Sequence, residues 1–229
     1  MTRVEFGIVA AFVGFFVVAL VLVVVGVIQA KKRREAMAAY AAGRGWRYAV
    51  HDPSLVDRFQ GTPFGQGSGR AASNVVYGGH DGRAMVAFDY QFTTTSGTGD
   101  NRKRTTHHWS VLAMSMGVTM PALSVEPEGL FGRVIGRLTD TDIEMESEDF
   151  NRAFTVRCPS RKFAFDVLHP QMIEMLMQWP ELGWRFERDS MLVVRNGSHS
   201  IAEVDAKIQV MDAIIDRIPE FVWKGVRGQ

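Results

Sequence analysis

The chain has 229 residues, 46% of them hydrophobic and 22% charged, and 26 Lys plus Arg against 25 Asp plus Glu leave a formal charge of +1. High apolar content with ordinary Gly and Pro excludes a disordered or collagen-like chain, and the lone cysteine, Cys158, excludes an intrachain disulfide. Near-neutral charge lacks the basic surplus that neutralising phosphates requires, so no nucleic-acid partner is expected.

Residues 1–6 form a short polar tail, and residues 7–30 form the first predicted element. Gly7 to Ala30 carries no formal charge and holds sixteen Val, Ile, Leu or Phe residues. At about 1.5 Å per residue it spans roughly 36 Å as a helix, enough for a hydrocarbon core of about 30 Å. Apolar transfer of this run is worth on the order of −5 to −10 kcal/mol. A cleaved leader would be shorter and would carry its cations before the apolar run. Here Lys31, Lys32, Arg33 and Arg34 follow it, against Arg3 alone on the other side. Cations beside a spanning helix stay cytoplasmic, so the reading is a single-pass inner-membrane protein with a cytoplasmic C-terminal domain. The same four cations form an expected membrane interface that attracts anionic lipid. Gly7, Ala10, Ala11 and Gly14 recur at steps of three and four, a stripe along which two helices of a homodimer would approach closely.

Residues 31–45 are read as a juxtamembrane helix and linker, with the Ala-rich run 36–43 stopped by Gly43 and Gly45. Residues 46–229 then form one domain. Period-two patterns predict strands over Arg70–Tyr77 and Arg83–Phe92, joined through Gly78-Gly79-His80-Asp81-Gly82. A flexible loop, Thr94–Arg104, precedes strands at Thr105–Met116 and Ala122–Glu126. A helix is expected over Glu128–Leu138, strands over Asp142–Glu146 and Phe154–Cys158, and a helix opened by Pro170 and closed by Trp179-Pro180. A hairpin, Trp184–Glu187 with Met191–Arg195, leads to the last helix. Ser200-x-x-Glu203 is its capping box, and Ile201, Val204, Ile208, Met211, Ile214 and Ile218 follow at helical spacing until Pro219. The fold class is a transmembrane helix plus an α+β domain, an antiparallel or mixed sheet with helices on one face.

Chemistry-bearing motifs are few. Gly61, Gly65, Gly67 and Gly69 in the stretch 60–70 match neither phosphate-loop spacing, which leaves a mobile surface loop and no expected cofactor. The six histidines lack metal-ligand spacing, and adjacent His107 and His108 on a strand point to opposite faces, so no metal is expected. Cys158 reads as core. Glu144 and Glu146 share a strand face and are the one carboxylate pair for acid–base chemistry, although solvated acids explain them as well. Met172, Met175 and Met177 read as core rather than a docking stripe. Residues 31–109 carry twelve bases against six acids and residues 126–149 eight acids against two bases, an asymmetry that presses the basic half toward an anionic leaflet.

The stretch from Asp142 to Pro170 reads DIEMESEDFNRAFTVRCPSRKFAFDVLHP. It resembles an uncharacterised family of bacterial single-pass membrane-tethered proteins, with the pattern E-x-x-x-F-N-x-x-F-x-V, then Ala, then L-x-P. The matching residues are Glu146, Phe150, Asn151, Phe154, Val156, Ala164, Leu168 and Pro170. Arg161 or Lys162 stands where the family more usually has an acid. The resemblance runs from about Trp109 to Phe221, implies a membrane-associated domain, and carries over no catalytic residue. From the residues themselves, Phe150, Phe154 and Val156 anchor a core and Asn151 ties down backbone at a turn.

The expected function is a non-catalytic cytoplasmic domain that binds or scaffolds a protein partner at the membrane. The alternative is a module binding lipid or a small ligand between the sheet and the last helix. An enzyme using Glu144, Glu146, His107 or His108 ranks behind both.

Overall fold

The structure is a computed structural model, and it describes residues 3–128 and 142–228, with backbone alone for residues 3–13 and for Asp100. A helix, α1 (Arg3–Ala42), is followed by β1 (Arg47–His51), β2 (Ser68–His80), β3 (Arg83–Ser96), β4 (Lys103–Ser115) and β5 (Leu123–Pro127). Then come α2 (Glu148–Ala153), β6 (Phe154–Arg157), α3 (Arg161–Val167), α4 (Pro170–Leu176), β7 (Trp184–Glu187), β8 (Ser190–Asn196), α5 (Ile201–Asp216) and α6 (Glu220–Arg227). The strands form one sheet in the order β1-β2-β3-β4-β8-β7-β5-β6, with antiparallel neighbours throughout. The β7–β8 hairpin thus inserts between β4 and β5. This is the expected α+β class with helices on one face.

Both faces of the sheet are covered, which explains why the central strands are apolar on both sides. Met85, Ala87, Leu112, Met114, Trp184, Phe186 and Val193 meet the helices, while Val86, Phe88, Tyr90, Phe92, Trp109 and Val111 meet Leu55, Phe59 and Phe64 from the β1–β2 connection. That connection corrects the expected surface loop. Thr62 and Phe64 are buried, and the buried Arg185 of β7 donates to the carbonyls of Thr62 at 3.1 Å and Gln60 at 2.7 Å. The glycine run ends in a strand from Ser68 onward, because aromatic anchors and a buried guanidinium outweigh its flexibility.

The capping box at Ser200 and Glu203 is present, and Val204, Ile208, Met211 and Ile214 lie buried against the sheet. Each buried side chain of this kind contributes about 1.5–3 kcal/mol. Val204, Ile208, Met211 and Ile214 of the stripe pack directly onto the strands. Cys158 is buried core, its thiol held above its ordinary pKa by desolvation. Met172 and Met175 are core, and Met177 packs at its margin.

Other expectations change in detail. The loop over Thr94–Arg104 shrinks to 97–102, since β3 and β4 pair as far as Ser96 and Lys103. Instead of a strand over Asp142–Glu146 there is one bridge, Asp142 to Arg157. The ladder stops because the Asn151 side chain takes both backbone groups of Met145, accepting from its N–H at 2.9 Å and donating to its carbonyl at 2.8 Å. Asn151 therefore does tie down backbone, next to the buried Phe150, Phe154 and Val156. Short helices α3 and α6 had no periodicity long enough to read, although Ser160 caps α3 by accepting from Phe163 N–H at 3.2 Å. The helix expected over Glu128–Leu138 falls almost wholly outside the described residues.

Candidate functional site

α1 contains one stretch, Gly14–Ala42, apolar and long enough to cross a membrane, with a mean hydropathy of 2.4 in its most apolar window. It fits a membrane anchor. The same helix continues without a break into the domain, where Met37, Tyr40 and Ala41 are buried in the core. The expected juxtamembrane helix and linker over 31–45 is thus tied to the fold, because Met37, Tyr40 and Ala41 pack into its core while Ala36, Ala39 and Ala42 stay exposed. Tyr40 donates to Asp205 of α5 at 2.6 Å, Arg44 reaches both oxygens of that carboxylate at 3.1 Å, and Arg44 also stacks 4.0 Å above the Tyr40 ring. Beyond the helix, Trp46 packs edge-on to Tyr40 and lies against Gly78, where a Cβ would come within 2.4 Å of the indole.

A polar network fills the junction between α1 and the sheet. Arg33 turns inward and meets Asp89 of β3 through two nitrogens, at 2.5 and 2.9 Å, while also donating to the His199 carbonyl at 2.8 and 3.1 Å. A bulge in β2 supplies the next member. Asn74, at φ 50°, sits in the register shift between Ser73 and Val76, donates to Asp89 at 2.7 Å and accepts from Tyr48 at 2.9 Å. Buried His199 donates from Nε2 to the Val111 carbonyl at 2.9 Å, leaving Nδ1 to accept from Lys207 at 3.4 Å. Burial and the Lys207 ammonium lower the His199 pKa to about 4, and burial lowers that of Lys207 to about 8.

Lys207 also donates to Ser110 at 3.3 Å, a pairing that hydrolytic enzymes use for base and nucleophile. Here Ser110 is 2% exposed and donates to the Arg195 carbonyl, so its oxygen faces packed protein. The network joins the sheet and α5 to α1, which contributes Arg33.

The sequence-derived candidates disperse. Lys31, Lys32 and Arg34 are exposed on α1, whereas Arg33 is committed to Asp89. Gly14 has no atom within 4 Å of where a Cβ would stand, and the side-chain positions of Gly7, Ala10 and Ala11 lie outside the described residues. Glu144 and Glu146 are solvent-facing while Ile143 and Met145 turn inward. His107 stacks 4.7 Å from Phe92 and shares a hydrogen bond with Thr94, and His108 is exposed on the opposite face. Glu146 is exposed, while Ala164 and Leu168 pack in the core beside Phe150 and Phe154, and Pro170 opens α4. One acidic cluster was missed because its members are far apart in sequence: Asp81, Asp212 and Asp216 converge within 4.8 Å. Arg83 stands among all three and pairs with each, at 3.0 to 3.2 Å. The network residues Asp89, Asn74, His199 and Lys207 were also missed, since each looks like an isolated polar residue until the sheet registers.

Together these features define an antiparallel α+β domain built directly onto an apolar N-terminal helix. No protein-family model and no curated protein matches the chain. Among solved structures, the crystal structure of the mycobacterial trehalose monomycolate transport factor A, TtfA, has the same fold, with a TM-score of 0.55 over 82% of this chain and 95% of that one. At 16% identity the likeness is one of fold.

Proposed function

We propose that the protein is a non-catalytic, single-pass inner-membrane accessory factor whose cytoplasmic domain engages a protein partner during transport of a lipid-like cargo. The observation that carries this reading is the unbroken passage of α1 from its apolar run into the domain core, clamped by Arg33–Asp89 and by Tyr40 and Arg44 on Asp205. A domain on a flexible tether searches a volume, whereas one on a rigid helix presents a fixed face to neighbours in the same membrane. Such presentation suits assembly with another membrane protein. The fold likeness to a transport factor supports the cargo class, and the cations after residue 30 support the cytoplasmic side. In the resemblance to bacterial membrane-tethered proteins, Phe150, Asn151 and Phe154 would be fold-keeping rather than partner-binding residues.

Photo-cross-linking in intact cells, with the probe placed in turn at exposed positions of the domain, tests the reading. A recurrent membrane-protein adduct confined to one face is expected. Adducts only with abundant bystanders, spread evenly over the surface, would reject it. A reporter fused after Gln229 checks the side, and an external signal would overturn the cytoplasmic assignment.

A further inference from the structure

Between α4 and β7 the chain turns at 178–182. The Leu182 N–H closes this turn on the Trp179 carbonyl at 3.0 Å, and the Trp179 side chain is left 46% exposed. Between the turn, β8 and α5 lies a cavity of about 330 Å³, lined by Trp179, Pro180, Leu182, Ala206, Lys207 and Val210. Small-ligand pockets run from about 300 to 1,000 Å³ and join an apolar wall to a few polar groups. Here those groups are Lys207, Arg195 and Glu203, with Gln178 and Glu181 exposed at the rim.

The charges around the cavity are not matched one to one. Asp89 has Arg33 and Glu203 has Arg195, whereas among the described residues no carboxylate oxygen lies within 4.0 Å of Lys207 Nζ. Lys207 is only 7% exposed. Two of the three N–H bonds of its ammonium reach neutral acceptors, Ser110 at 3.3 Å and His199 Nδ1 at 3.4 Å, and the third has no acceptor among the described residues. Both contacts are longer than the usual range of about 2.7–3.2 Å. A lysine that merely lays its stem on apolar neighbours ends with its head in water. Lys207 does the reverse, since Ser110 and His199 are both buried. With a pKa of about 8 it remains mostly charged at neutral pH. A buried ammonium without a counter-ion is costly, and an anion brought to it regains what solvent cannot supply there.

We propose that this pocket binds an amphipathic carboxylate, its aliphatic body along Trp179, Leu182 and Val210 and its head on the Lys207 ammonium. One unmatched cation, with Glu203 and Glu181 close by, suits a monoanion and repels a phosphate dianion. The site belongs to the domain alone and holds however α1 sits in a membrane.

The full chain in a maltoside detergent is melted with octanoate, or with octanamide, which has the same chain length and no charge. Octanoate at ten times its dissociation constant should raise the midpoint by about 3–6 °C. The ratio of the two potencies cancels uptake into detergent between variants. In Lys207→Met, which keeps the stem and removes the charge, the preference for octanoate should fall about tenfold. Ala206→Trp, at an exposed lining position, fills the cavity and should abolish the shift by either compound. A native midpoint that octanoate up to about 20 mM does not move overturns the site. An unchanged ratio in Lys207→Met overturns it too. Should that variant fail to fold, Ala206→Trp decides, because a shift retained there places octanoate elsewhere.

Discussion

Arg33 and Asp89 meet through two guanidinium nitrogens, joining the cationic turn of α1 to the middle of the longest strand in the sheet. Their side chains are 30% and 12% exposed, and the same carboxylate also accepts from Asn74. α1 and the domain therefore share an ionic joint.

Removing the carboxylate should loosen that joint. Asp89→Ala leaves Arg33 with only the His199 carbonyl and strands the Asn74 amide, at a cost of about 2–3 kcal/mol. Melting of the detergent-solubilised chain should fall by roughly 5–10 °C. Lys32→Ala, one residue away and exposed, should leave it nearly unchanged. Equal effects of the two substitutions would refute the joint.

The network also sets an acid response. His199 has its folded pKa lowered from 6.5 to about 4 by burial and by Lys207, with Arg33 opposing and Asp89 favouring the charge. The unfolded chain then binds the extra proton between these values, so stability falls as pH drops from 6.5 toward 4, by on the order of 3 kcal/mol in all. Lys207, lowered from 10.5 to about 8, acts in a second window: the cost of burying its charge is in force below pH 8 and is relieved as pH rises toward 10.5. Denaturation midpoints measured across pH 4 to 6.5 should slope in the native chain and flatten in His199→Gln. An unchanged slope in the variant would assign the acid response elsewhere.

Asn151 holds both backbone groups of Met145. Asn151→Ala leaves them unpaired and should destabilise by about 2 kcal/mol. Asn151→Asp should not restore stability, because a carboxylate cannot donate to the Met145 carbonyl. Amide exchange at Met145, slow in the native chain, should accelerate in both variants.

Gly78 is the seat of the Trp46 ring. Gly78→Ala places a methyl group 2.4 Å from the indole, and overpacking of this kind costs about 1–3 kcal/mol. Displacing Trp46 also removes the edge contact with Tyr40, so cleavage by protease at the turn 43–45 should increase. Cleavage at the native rate would mean that Trp46 does not hold the helix end in place.

Features governed by local physics are legible in the amino-acid sequence. The capping box at Ser200 and the stop at Pro219 bracket α5, and the Gly and Asp turn after His80 marks the β2–β3 hairpin. Inward Val, Phe and Leu positions mark the sheet. Illegible features depend on partners far along the chain. Arg33 looks like a topology signal until β3 brings Asp89 beside it, 56 residues away. The stretch 60–67 looks like a loose loop until Arg185 reaches its carbonyls from 123 and 125 residues away. A backbone group in a strand pattern will also pair with a side chain, as Met145 does with Asn151, and no periodicity reveals that.

An apolar helix long enough to span a membrane and an α+β domain after it can both be read along the chain, because apolar run length and residue periodicity are local quantities. Only the folded chain shows that the helix runs on into the domain core and is held there by Arg33 on Asp89 and by Tyr40 on Asp205. The Arg33–Asp89 pair depends on β3 reaching α1, and the bulge at Asn74 adds a further donor to the same carboxylate, a pairing that no local pattern encodes.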